Sequence, residues 1–160
     1  MNDTEFVIEP GKQDIVIRRT FDAPREVVFK ALTDPSLIPN WWGPRRYSTD
    51  VDVMEVRPGG RWRFINRAAD GTEFGFHGVY HDIVAPERVT QTFEFEGAPG
   101  HVTLDTATLE EVGGRTNFVA LSVFQSVEDR DAMVSSGMES GARETYERLA
   151  EVIEGLRVRA

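Results

Sequence analysis

The chain has 160 residues, 18 Lys+Arg against 27 Asp+Glu for a net charge of −9, no cysteine, and 10 % aromatic residues. This length suits one domain with a single core, and the composition excludes disordered, fibrous and collagen-like chains. Without cysteine there is no disulfide framework, thiolate metal site or thiol nucleophile, and an acidic chain lacking a Lys/Arg cluster argues against a nucleic-acid partner.

Residues 1–13 read as a flexible N-terminal arm and 14–157 as a single domain. The arm carries acids and no apolar segment, so it is not a secretory signal. The longest apolar run, Phe118 to Leu121, falls far short of the roughly 20 residues a membrane span needs, so the expectation is a soluble, cytoplasmic protein.

The first strand runs from Ile15 to Phe21. Asp22-Ala23-Pro24 starts a helix, with Val27, Val28, Ala31 and Leu32 as its apolar stripe. Asp34-Pro35 closes it, and a second short helix passes through Leu37 and Ile38. From about residue 49 to 124 the period becomes two. Trp62 and Phe64 then share one face while Arg61, Arg63, Ile65 and Arg67 share the other. Gln91, Phe93 and Phe95 likewise oppose Thr90, Thr92, Glu94 and Glu96. Asp70-Gly71, Pro86-Glu87, Gly97 to Gly100 and Gly113-Gly114 supply turns, and Gly75 and Gly78 mark bends or bulges. Counting the first, about seven strands result, mostly antiparallel neighbours.

Ser126 caps a long helical pattern reaching about Leu156, with a weak point at Ser135-Ser136-Gly137 where it kinks or begins afresh. A helix of about 28 residues, about 42 Å long, can lie across the apolar face of a curved sheet. A sheet wider than its helix leaves a gap. The expected fold class is therefore α+β, a curved antiparallel sheet wrapped around a long C-terminal helix, with two short helices after the first strand.

Specific residues, in this order, resemble the SRPBCC superfamily of START-like, birch-pollen-allergen-like helix-grip proteins. They resemble most closely the branch of heat-shock ATPase activator homologues, which includes bacterial polyketide cyclase-like proteins. The residues are Arg19 to Pro24, Asp34-Pro35 leading to Trp41-Trp42-Gly43-Pro44, Val56 to Trp62, Phe76 to Tyr80, Pro86 to Val89, Gly113 to Thr116, and Ser136 to Met138 on through Tyr146 and Leu149. The resemblance implies a hydrophobic pocket between sheet and helix. Its members include lipid carriers, cyclases, hormone receptors and co-chaperones, so it implies a cavity and no single reaction. The co-chaperone activators carry an additional N-terminal domain, whereas about 13 residues precede the first strand here.

The expected activity is binding of a small apolar or aromatic molecule. The lining candidates are Trp41, Trp62, Phe64, Phe76, Tyr80, Gln91, Phe93, Phe118 and Met138. Asn66 and Gln91 share the inward parity, and each either meets a backbone group or water or orients a ligand's polar atom. One alternative is a cyclase or hydratase acting on a polyketide-like substrate, with Asp82 or Tyr80 as acid–base. In that scheme Asp82 faces the cavity, unless a bulge near Gly78 or a pairing with an arginine turns it outward. The other alternative is a co-chaperone-like interaction module with a chaperone partner.

No cofactor is implied. His77 and His81, about 13 Å apart along one strand face, are too distant to hold one metal ion. Arg57, Arg61, Arg63 and Arg67 form a basic stripe that either pairs with Glu94 and Glu96 or meets an acidic partner. Gly137 and Gly141 let the last helix approach closely, either thinning it over the cavity or forming a homodimer contact.

Overall fold

The computed structural model describes residues 3–159. Eight strands form one antiparallel sheet: β1 (Glu5–Val7), β2 (Asp14–Phe21), β3 (Ser48–Met54), β4 (Arg61–Arg67), β5 (Glu73–Val84), β6 (Arg88–Phe95), β7 (Val102–Val112) and β8 (Arg115–Val123). Their spatial order is β1-β2-β8-β7-β6-β5-β4-β3. The sheet is curved and unclosed. Between β2 and β3 lie α1 (Arg25–Thr33) and a 3-10 turn, Ile38–Asn40; α2 (Val127–Ser135) and α3 (Met138–Arg159) complete the chain.

The strand beyond the seven expected is β1, three residues within the segment read as an arm, paired with β2 from Glu5↔Arg18 to Val7↔Val16. Arg130 fastens this end. Its buried guanidinium donates to the carbonyls of Glu9 (2.8 Å) and Asp14 (3.3 Å) and pairs with Asp131.

The last helical pattern is two helices rather than one. Ser126 caps α2 by accepting from the Asp129 N–H. Gly137, at φ 84°, takes the left-handed conformation that ends it, and α3 begins at once. At 22 residues α3 spans about 33 Å, and Leu149 and Ile153 are fully buried against the sheet and α1. Gly137 thus belongs to the linker. Gly141 is where α3 meets the loop before β3, since an added Cβ would sit 3.3 Å from Pro44 Cγ.

The alternation on β4 holds as read. Trp62, Phe64 and Asn66 are buried inside, while Arg63 pairs outside with Glu96 (2.7 Å) and Asp52 (3.1 Å), and Arg67 with Asp50 and Glu73. Arg63 and Arg67 are therefore paired within the molecule, Arg57 and Arg61 stand exposed beside Glu55, and Arg63 with His77 holds the Glu96 carboxyl down to about 2. Glu94 turns instead to the Gly100 N–H and His77.

Gly78 marks no bulge. The irregularity on β5 falls between Tyr80 and Asp82, where Tyr80 pairs with Gln91 and Asp82 with Thr90. At Gly78 the missing side chain makes room for the Trp62 indole, its register partner on β4. The indole N–H donates to the Thr92 carbonyl (3.1 Å), and the Val79 N–H turns to the Thr92 hydroxyl (2.9 Å). A tryptophan here occupies a break in the β5–β6 ladder.

Candidate functional site

Three adjoining chambers lie between the inner face of the sheet and the helices. The outer one, about 520 Å³, is walled by Tyr47, Phe74, Phe76, Phe93, Phe95 and α2. The middle one, about 300 Å³, shares Phe93, Thr103, Phe124 and Met133 with it and adds Trp42, Trp62 and Met138. The inner one, about 200 Å³, shares Trp42, Gln91, Asp105, Ser122 and Tyr146 with the middle and ends at Trp41, Phe64, Tyr80 and Phe118. Residues common to their walls make the three neighbours along one face of the sheet.

Two short devices position the tryptophans. Trp41 is buried and donates its indole N–H to the Ala31 carbonyl (3.0 Å), tying the 3-10 turn to α1. The Trp42 ring stands at the centre of the aromatic wall, with ring centroids 5.1 Å from both Phe64 and Phe76 and 6.3 Å from Trp62. Its backbone is fixed by Thr49 Oγ1, which bonds the Trp42 carbonyl (2.6 Å) and the Asn66 side-chain amide (2.8 Å). From α3, Arg148 donates to the Gly43 carbonyl (2.6 Å), holding the same loop. Asn66 is thereby committed to the scaffold, whereas Gln91 lines the cavity.

All nine lining candidates border a chamber: Trp41, Phe64, Tyr80, Gln91 and Phe118 the inner, Trp62, Phe93 and Met138 the middle, and Phe76 the outer. Asp82 does not. The bulge at His81 turns it to the outer face, where it is half exposed and takes two guanidinium bonds from Arg88 (3.0 and 2.8 Å). Of the two readings of Asp82 the outward one, with an arginine partner, is what the fold adopts, and Asp82 is corrected as a cavity-facing acid–base candidate. Burial raises the Tyr80 phenol well above its ordinary range, so it stays protonated.

The inward acid is Asp105, which the sequence reading passed over. In the sheet register it lies opposite Gln91 on β6 and Ser122 on β8, so the three form a polar row across three strands, with Tyr146 of α3 on the same chambers. Asp105 is partly buried, and the surface it keeps borders the cavity. Burial pushes its carboxyl up to about 6, against the opposing pull of hydrogen bonds from Ser122 and Thr103. Of Trp41 and Trp42, one was expected to line the pocket and the other to anchor the helix; Trp41 is the anchor and Trp42 the centre of the aromatic wall. Adjacent Trp41 and Trp42 carry no periodicity, so only packing separates the anchor from the wall.

At the outer chamber, the turn before β7 is latched to α2: His101 Nδ1 lies 3.0 Å from both oxygens of Asp129. The bond to Asp129 raises the His101 pKa. A raised histidine pKa means the latch is fully present below the ordinary value, about 6.5, and is lost as pH rises through the raised one. Amide exchange at the start of α2 is therefore expected to quicken as pH climbs through that window, after correction for intrinsic rates. His101→Ala should abolish this step, and an unchanged pH profile would refute the latch.

Among the described residues no helix is long and apolar enough to cross a membrane, and no group of three His, Cys, Asp or Glu residues could hold a metal ion.

Residues 22–154 match the family described as Activator of Hsp90 ATPase homolog 1-like protein. Comparison with curated proteins finds no match. Among solved structures, a protein from Arthrobacter aurescens superposes with a TM-score of 0.87 at 28 % identity, covering 94 % of this chain and 91 % of that one. A Rhodobacter sphaeroides protein gives 0.86 at 29 %, covering 94 % and 99 %. A Chromobacterium violaceum protein gives 0.80 at 25 %, covering 89 % and 97 %.

Proposed function

The chain belongs to the Activator of Hsp90 ATPase homolog 1-like family, and from that premise we propose that it binds a small apolar or aromatic molecule between the sheet and α3. The family fold suits ligand binding or a co-chaperone-like role. What favours the first is the cavity itself: walls of Trp42, Trp62, Phe64, Phe76 and Phe93 beside one polar row have the make-up of a small-molecule site. A partner surface has less support. The large apolar side chains exposed among the described residues are Leu104, Val112, Val123 and Val158, and only Leu104 and Val123 are register partners, a patch much smaller than a stable interface requires.

The test is calorimetric titration with a neutral aromatic probe, 1-naphthalenemethanol, alongside NMR of the three tryptophan indole N–H signals. One-site saturable binding that shifts the Trp62 signal is expected. Ala142→Phe, which fills the middle chamber from α3, should weaken it by about 10-fold or more. A flat titration, or binding indifferent to that filling, would overturn the reading.

A further inference from the structure

We propose that the cavity selects an organic monocation, an amine whose ammonium group docks on Asp105 while its apolar body lies among Trp42, Trp62, Phe93 and Tyr146. This rests on the small-molecule reading above and names the chemistry of its ligand.

Three observations carry it. Among the described residues, those lining the middle and inner chambers include one acid, Asp105, and no Lys, Arg or His to face it. Its partners are hydroxyls, Thr103 at 3.3 Å and Ser122, which solvate a carboxylate in part without neutralising it. The rings on the same walls present faces that attract a cation, an attraction that grows when water is excluded. Gln91, directly across from Asp105, adds an amide oxygen that can accept a second ammonium proton.

Alternative ligands fare worse on the same walls. An anion would meet Asp105 with repulsion in a low-dielectric space, and a neutral molecule would leave the buried charge uncompensated. The other titratable groups bordering these chambers are the phenols of Tyr146 on α3 and Tyr80 on β5, both raised by burial and therefore neutral. His101 and Asp129 border only the outer chamber and engage each other. Charge recognition in the inner two therefore follows the ionisation of Asp105, whose carboxyl is raised to about 6.

The intact chain is titrated with 1-naphthylmethylammonium, 1-naphthalenemethanol and 1-naphthoate, at about pH 7.5 and about pH 5. At the higher pH the cation should bind about 10-fold or more tightly than the alcohol, with the carboxylate weakest. At the lower pH the ratio should shrink to about 3-fold or less as Asp105 gains its proton. Asp105→Asn should abolish the preference of the cavity for the cation over the alcohol. Equal affinity of cation and alcohol at the higher pH, or a preference that survives either acid or Asp105→Asn, overturns the proposal. If the alcohol binds without any cation preference, only this proposal falls. If none of the three binds, the small-molecule reading falls with it.

Discussion

Gly78→Ala is expected to melt roughly 10 °C below the wild-type chain, a loss of about 3 kcal/mol read from chemical denaturation. The cause is steric rather than conformational, because Gly78 is not among the positive-φ glycines. A Cβ built there would lie 1.9 Å from the Thr92 carbonyl oxygen and 2.6 Å from Trp62 Nε1. Both are the partners of one hydrogen bond, so relief requires moving β6 away from β5 or expelling the indole. Expulsion opens a cavity where one of the largest fully buried side chains had been and leaves the Thr92 carbonyl unpaired. Gly155→Ala is the control: nothing lies within 4 Å of its added Cβ on α3, and replacing an interior helical glycine should stabilise by about 0.5–1 kcal/mol. Equal losses at both positions would show that the Trp62 insertion is not what constrains Gly78.

The same residues explain how much of the molecule could be read before its structure was known. Seven of the strands and the helical segments were legible along the chain because Trp62 and Phe64 alternate with arginines, and because caps and turns at Ser126, Asp70-Gly71 and Gly113-Gly114 are local signals. Parity also put Trp62, Phe64, Gln91 and Phe93 on the inner face, where each borders a chamber. It failed at Asp82, since a bulge reverses every face beyond it and depends on how β5 meets β6 rather than on any residue of β5. It was not applied on β7, where Leu104 lies outside while Thr103 and Asp105 lie inside, opposite to the usual sorting. The signal available there was the inverted pattern itself: Ala107 and Leu109 share parity with Asp105, which places an acid on the apolar face. The insertion of Trp62 beneath Gly78 left no trace in sequence, because a glycine that admits a neighbour and one that bends a strand look alike.

Asp105→Asn is expected to be more stable relative to wild type at neutral pH than in acid, by about 2 kcal/mol. The folded-state carboxyl is raised from 3.8 to about 6, so the native state holds its proton more tightly than the unfolded chain does. Stability from this group is therefore greatest in acid and is lost as pH rises from the unfolded value to the folded one. Over the upper part of that window, from about pH 4.5 to about 6, each unit costs about 1.4 kcal/mol, which gives the figure above. The carboxylates with lowered values, Glu96 foremost, change protonation below their ordinary pKa and oppose this trend only at lower pH. His101 acts in the same direction as Asp105, but above about 6.5. Subtracting the variant's curve from the wild-type curve removes both contributions. A difference that stays flat between about pH 4.5 and 7 would mean that Asp105 titrates as an ordinary carboxyl, and the cavity would then hold no strained charge for a ligand to relieve. A sloping difference means that the empty protein carries a cost at neutral pH which a docked ammonium would offset. The stability curve and the cation titration then measure one charge from opposite sides.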